Sequence, residues 1–442
     1  MSRRVIVVGG GAAGMMAALA ARRGAAEVIL VERNKRLGVK ILISGGGRCN
    51  ITHDGSPREV EQGFVPREGR FLRYSLHEFP PSAVIAMLHE QGVETLVRPN
   101  GRVFPASGRA EDVLSAFERI LSVHRVEVVT STRVDSLVVD CCEVTGVRCN
   151  DKTMVADGVV IATGGLSYRK VGTTGDGIRW GVEAGLRAEP ARAALAPIYF
   201  TTPPPTDWQG VSLRGVEVSV RFRSRTDGSS PGDAASGSPS ILTPPDGVPT
   251  SWRDDLLLTH RGLSGPSILE IARSVAWGID MGARPAILID IVPDLTKDEL
   301  RKRFDERRSG SPATEVQTMV SEYMPRALVP WFLRMLGIDA GVHLADLTRT
   351  ARTALLDGLK AWMPGEVGEV PIDKGEVTAG GIALDQIDPR TMRARGLGGL
   401  YIAGEALDIA GSIGGYNLQA AFSTGWVAGR SAALGRNNVK DV

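Results

Sequence analysis

The residue types best suited to chemistry gather in three glycine-rich stretches. ISGGGRCN spans residues 43–50, GGGAAG begins at Gly9, and GGYNLQ runs from Gly414. Gly45, Gly46 and Gly47 can take positive φ and expose successive N–H groups in a concave nest that suits anionic or carbonyl oxygens. Arg48 adds positive charge and Asn50 an amide that both donates and accepts. Cys49 lies beside Arg48, whose charge would lower its thiol pKa, so it is a candidate acid, with a packing thiol the alternative. In GGGAAG, Gly9 permits a tight turn, Gly11 lets the backbone approach a pyrophosphate, and Gly14 allows close helix packing. The helix-start N–H groups around Ala12 and Ala13 then face phosphate charge. Glu32, 18 residues past Gly14, is placed to accept from ribose hydroxyls.

Those residues need particular elements to hold them. VIVV, residues 5–8, reads as a buried strand, the following small residues as a helix, and EVILVE as a second strand ending in Glu32: a βαβ unit. No second complete GxGxxG follows a strand and no CxxC pair is present, so one tightly held dinucleotide is expected. The unit alone leaves NAD and FAD open. The loop at 43–50 adds room for the ribityl chain and isoalloxazine of FAD. Near the C-terminus, a strand over Leu400–Ala403 leads through an irregular loop into a helix starting near Gly415. The N–H groups of Tyr416, Asn417 and Leu418 and the positive helix end would face the flavin edge that gathers charge on reduction.

Composition excludes several alternatives. In 442 residues, 52 Lys and Arg against 50 Asp and Glu give a net charge of +2, no global reason for a polyanionic partner. Four cysteines, at 49, 141, 142 and 149, are too few and too clustered for a secreted disulfide framework, and no spacing reads as a metal site. Cys141, Cys142 and Cys149 read as strand-packing thiols. MSRR followed by an apolar run resembles a secretory signal, but its glycines would weaken a signal helix and suit a phosphate turn instead. A cytoplasmic protein without a membrane partner is expected.

The chain resembles a family of FAD-dependent oxidoreductases that includes bile-acid enone reductases, ribosomal RNA dihydrouridine synthases and aminoacetone oxidase-like flavoproteins. The resemblance rests on GGGAAGMMAA, GVKILISGGGRCNIT, ATGGLSYRKVGTTGDG, LLLTHRGLSGPSIL, VTAGGIALDQIDPRTM and LYIAGEALDIAGSIGGYNLQAAFSTGWVAG, and covers nearly the whole chain. Val39 and His53 depart from the basic residue and the asparagine more usual there. The resemblance implies an α/β fold: a discontinuous Rossmann-like FAD-binding domain of the glutathione-reductase type (1–192 and 373–442). Inserted in it would be a β-barrel-like domain (193–294 and 342–372), forming a roof over the flavin, and a small helical domain (295–341). It implies FAD contacts from Arg33, Lys40, Ser44, the backbone near Val134, and Ala162, Thr163, Gly164 and Gly165. Gly404, Glu405, Asp408, Gly414 and Gly415 would complete the set, with NADH or NADPH as a transient donor.

Three regions read from texture. Residues 126–163 alternate as a three-stranded meander, and residues 224–255, rich in Gly, Ser and Pro, read as a mobile loop. The stretch 295–337 has helical period, with Thr296 as N-cap. Reducing a conjugated C=C needs a proton donor as well as hydride, and the candidates are Cys49, Tyr416 and His260, the last beside Arg261 in THRGLSGP. The expected substrate is a small conjugated carbonyl compound. Alternatives are a uracil in ribosomal RNA, held by a groove around Arg67, Arg70 and Arg73 with Arg301 to Arg308, an oxygen-dependent amine oxidase, or a flavin-bound module without turnover.

Overall fold

Val5–Val8 is buried on both faces, which suits the centre of a parallel sheet covered by helices on each side. The computed structural model, which describes residues 2–223 and 242–435, builds it so. β1 (Arg4–Val8) is flanked by β2 (Glu27–Val31), then β3 (Glu127–Val129), and on its other side by β4 (Gly158–Ile161) and β5 (Leu400–Ile402). The order is β5-β4-β1-β2-β3, and every pairing is parallel, with Val5 opposite both Val28 and Gly158. All five strands therefore end on one edge, the position where open α/β sheets bind ligands.

Helix α1 (Ala12–Arg23) leaves that edge through a turn at Gly9, whose φ is +105°. A Cβ at Gly14 would lie 1.7 Å from the Gly9 carbonyl oxygen, so only glycine lets α1 approach β1 this closely. Helix α2 (Pro66–Glu78) and the long α3 (Tyr416–Leu434) follow in chain order. Helix α3 seats on α1 through Gly425 and Gly429, where added Cβ atoms would stand 2.2 and 2.0 Å from the carbonyl oxygens of Ala13 and Ala17. One apolar core joins the sheet to these helices.

The meander forms as strands Ser136–Asp140, Glu143–Cys149 and Lys152–Val155. It corrects the reading of the cysteines. Cys149 is buried, but Cys141 and Cys142 are exposed in the two-residue hairpin turn, with φ of +41° and +67°. Such turns need positive φ at both central residues, and here they turn both thiols to solvent instead of into the packing.

The chain divides into two compact units, Met1–Arg192 with Ile372–Val442, and Ala193–Pro371. The second has its own core, which includes Trp208, Phe304, Phe332 and Trp362. Its six-stranded sheet is antiparallel at every pairing, with edge strands Arg284–Asp290 and Val367–Glu369. Thr296 caps helix Lys297–Gly310 in a reciprocal capping box with Glu299. Of the loop expected over 224–255, residues 224–241 lie outside the described residues. Residues 251–255 are not loop: Ser251–Leu258 is a strand paired along Ser212–Arg223, because apolar Leu256 and Leu258 bury their side chains in that unit's core. Among the described residues, no helix is long and apolar enough to cross a membrane.

Candidate functional site

The turn at Gly9 delivers α1 with no side-chain cap and no acidic residue in its first turn. Its orphan N–H groups and positive dipole end thus suit an anion. A Cβ at Gly11 would meet nothing within 4 Å, so the protein leaves open the spot where a diphosphate approaches such a turn. Glu32, buried at the end of β2, accepts from Gly10 N–H and Asn34 N–H, both at 2.7 Å. Each carboxylate oxygen has one such partner, leaving lone pairs for a ribose. The Thr132 N–H donates to the Glu32 carbonyl, which brings the segment leading to Val134 beside it. Arg33 points instead to Thr174 and Asp176, at 2.8 and 3.5 Å.

The second half of the site is built by two loops that hold each other. Ser44–Gly47 forms a tight turn in which Gly45, Gly46 and Gly47 have φ of +56°, +67° and +83°. A Cβ at Gly46 would again meet nothing within 4 Å. With its amide oriented to satisfy its neighbours, Asn50 accepts from Gly415 N–H at 3.0 Å and donates to the carbonyls of Val103 and Thr52. Thr52 donates to Gln419 at 2.7 Å, and Gln419 donates to Phe79 carbonyl and Ser423. Asn417 is turned back, accepting from Gly411 N–H and donating to its carbonyl. Asn50 and Asn417 thus shape the loops with their side chains. Helix α3 begins at Tyr416 with no side-chain cap and no acidic residue in its first turn. Leu418 is half-buried there.

Between these halves lies a polar network that the sequence named only in part. Lys40 donates to Ser167 hydroxyl at 2.8 Å and pairs with Glu405. Glu405 also accepts from Ser167 hydroxyl and Thr378 N–H, both at 2.9 Å, while Thr378 hydroxyl accepts from Leu166 and Ser167 N–H. This fixes the Ala162–Gly165 turn after β4 against the Gly404–Glu405 turn after β5. Thr163 carries a buried hydroxyl without a hydrogen-bond partner, set close to Gly177 of the helix Asp176–Glu183. Buried Asp408 accepts from Gly380 N–H at 3.0 Å and pairs with Arg67. Ser167 and Thr378 escaped the sequence reading because lone hydroxyls carry no spacing signal.

The proton-donor candidates fare differently. Cys49 is fully buried at φ +56°, and burial pushes its thiol up to about 12, with the Ser44 hydrogen bond opposing. The expected lowering by Arg48 is corrected: Arg48 is exposed while Cys49 turns inward, so the neighbouring charge acts mainly through water. Tyr416 stacks on His53 at 4.5 Å, with Phe64 edge-on at 6.3 Å. His53 Nδ1 lies 3.2 Å from Gly414 carbonyl, so His53 braces the loop before α3. His260 belongs to the second unit and is exposed. Arg261 beside it pairs with Glu369 and lies over the Tyr199 ring.

Residues 3–431 match the family described as HI0933-like protein Rossmann domain. The chain is 29% identical over 408 residues to the 3-dehydro-bile acid delta(4,6)-reductase of Clostridium scindens, covering 92% of this chain and 93% of that one. It is 30% identical over 414 residues to the ribosomal RNA dihydrouridine synthase of Escherichia coli, covering 93% of each. The protein of the same name from Haemophilus influenzae is 27% identical over 413 residues, 91% of this chain and 92% of that one.

Proposed function

The chain belongs to the HI0933-like family of Rossmann-domain proteins, and on that premise we propose that it is a FAD-dependent oxidoreductase. In this reading it reduces an activated C=C in a conjugated carbonyl compound with electrons from NADH or NADPH. The observation that carries the reading is the pair of uncapped helix starts on one unit, α1 and α3, each preceded by glycine turns, with the α3 start tied to the Ser44–Asn50 loop through Asn50 and Gly415. One such start serves a diphosphate. Two, with the Ser44–Gly47 turn between them in sequence, suit a longer dinucleotide with a second electron-rich end.

The residues fit FAD. Gly9 to Gly14 would hold its diphosphate, with Glu32 on the ribose and the backbone near Val134 beside the adenine. Lys40, the Ser44–Asn50 loop, the Ala162–Gly165 turn, Glu405, Asp408 and the Gly414–Leu418 segment would hold the flavin half. Bound there, FAD accepts and returns hydride. The chain's own part is to position substrate, favour negative charge beside the α3 start by roughly 0.3–2 kcal/mol, and supply a proton. Relatives named as a delta(4,6)-reductase and as dihydrouridine synthases share, in elementary chemistry, the saturation of a C=C conjugated to a carbonyl, which supports this substrate class.

Four of the seven arginines called for an RNA groove are paired with carboxylates, Arg67 with Asp408, Arg73 with Glu61, Arg301 with Asp298 and Arg307 with Glu322, which lowers the positive charge they could offer RNA and favours a small molecule. Anaerobic mixing tests the whole reading: NADH or NADPH should bleach the bound flavin's visible band, and a conjugated ketone should restore it. If neither nicotinamide bleaches it, the reading fails.

A further inference from the structure

The Lys40 network lies among the glycine turns of the first unit. The helix Val39–Ile43, which carries Lys40, is tied to the turn before α1 by Gly38 N–H, which donates to the Gly10 carbonyl at 2.9 Å, and it runs directly into the Ser44–Gly47 turn. Glu405 follows Gly404, where an added Cβ would stand 2.9 Å from the Ala13 Cβ in the first turn of α1. At Gly165 an added Cβ would lie 2.6 Å from the Thr378 hydroxyl and 2.9 Å from a Glu405 carboxylate oxygen, so the turn after β4 is shaped around this network. The two charges are not equally committed. Glu405 accepts from three donors, the Lys40 ammonium, the Ser167 hydroxyl and the Thr378 N–H, which uses most of a carboxylate's acceptor capacity inside the protein. Lys40 has an ammonium with more donors than its two partners, Ser167 and Glu405, take up. Its side chain is 27% exposed and that of Glu405 18%, and charges drawn back from water in this way are screened less than surface ones.

We propose that Lys40 sets the electron affinity of the flavin by supplying a cation to its pocket, and that Glu405 is a positioning residue that fixes this cation through Ser167 and Thr378 and offsets part of its charge. The inference rests on the FAD reading given above and gives the pair a role that holding the cofactor does not require. Reduction adds electron density to the flavin ring, so a nearby cation favours the reduced form and a nearby carboxylate opposes it. Lys40 and Glu405 therefore act with opposite sign. A salt bridge that merely supported the fold would behave otherwise, because removing either partner would loosen the same contact.

The test reads the redox equilibrium of the bound flavin and not turnover. The flavin-loaded protein is reduced anaerobically with dithionite beside a reference dye, without nicotinamide or substrate, and both visible spectra are followed. At a fixed dye poise, the ratio of reduced to oxidised flavin falls by about 10-fold in Lys40→Met and rises by about 10-fold in Glu405→Gln, the scale of removing one partly screened charge. Lys40→Arg, which keeps the cation, recovers most of the loss. A ratio unchanged in Lys40→Met, or one that moves the same way in Lys40→Met and Glu405→Gln, overturns the proposal. Should Lys40→Met release its flavin, Glu405→Gln decides alone: a raised ratio supports the proposal, and an unchanged or lowered one overturns it. A wild-type protein that binds no FAD removes the FAD reading itself, an outcome seen before any dye is added.

Discussion

Cys49 illustrates how far apart sequence neighbours can be in environment. Its thiol is pushed up to about 12 from an ordinary 9.0 by burial, so the fold favours the neutral thiol. That contribution is complete below about pH 9 and fades as pH rises toward 12. Cys49→Ser, which does not ionise, should therefore flatten the loss of stability in alkali, as followed by circular dichroism across that range; an unchanged alkaline limb would contradict the assignment. Burial also predicts the labelling pattern. Iodoacetamide should modify exposed Cys141 and Cys142 in the folded protein and spare Cys49 and Cys149, counted by intact mass. The turn itself was legible in the sequence, because Gly45, Gly46 and Gly47 take the positive φ that such a glycine run allows. The direction of each side chain was not, since a turn of left-handed residues sends Arg48 outward and Cys49 inward, and nothing local in the sequence encodes that.

At the scale of elements, the site depends on seams that hold α3 against its neighbours. Gln419 is fully buried, joining Thr52, Phe79 and Ser423. Gln419→Leu should leave the buried Thr52 hydroxyl without its Gln419 acceptor, while the Phe79 carbonyl keeps the Ser423 hydroxyl, costing about 1–3 kcal/mol, measurable as a lower urea midpoint at unchanged slope. A midpoint equal to wild type would show that the network does not hold the helix start. Gly425 tests the other seam. Gly425→Val forces a Cβ to within 2.2 Å of the Ala13 carbonyl, and overpacking of this kind costs about 1–3 kcal/mol or more. Because α1 also starts at the glycine turn proposed to hold the FAD diphosphate, the variant should lose flavin on gel filtration, whereas full retention would mean that α1 can shift without harm. The βαβ unit was readable because its strand, glycine turn and acidic end are contiguous. The Lys40–Ser167–Glu405–Thr378 network was not, because its members lie up to 365 residues apart and meet only when β4 and β5 pair.

For the whole molecule, near-zero net charge and the pairing of four of the seven arginines called for an RNA groove argue against a strong grip on polyanions. Salt dependence of binding scales with the number of phosphates neutralised, so the intact protein should show only weak retention of ribosomal RNA fragments at low salt, with a shallow slope. Tight, steeply salt-dependent binding would shift the substrate toward RNA. The parallel sheet places the glycine turns after β1, β4 and β5 on one edge, and the account stands or falls with what that edge holds. The most direct measurement is to denature the purified protein and identify the released chromophore by mass and absorbance. The account predicts FAD at one per chain. A colourless protein that takes up no FAD on reconstitution would contradict it.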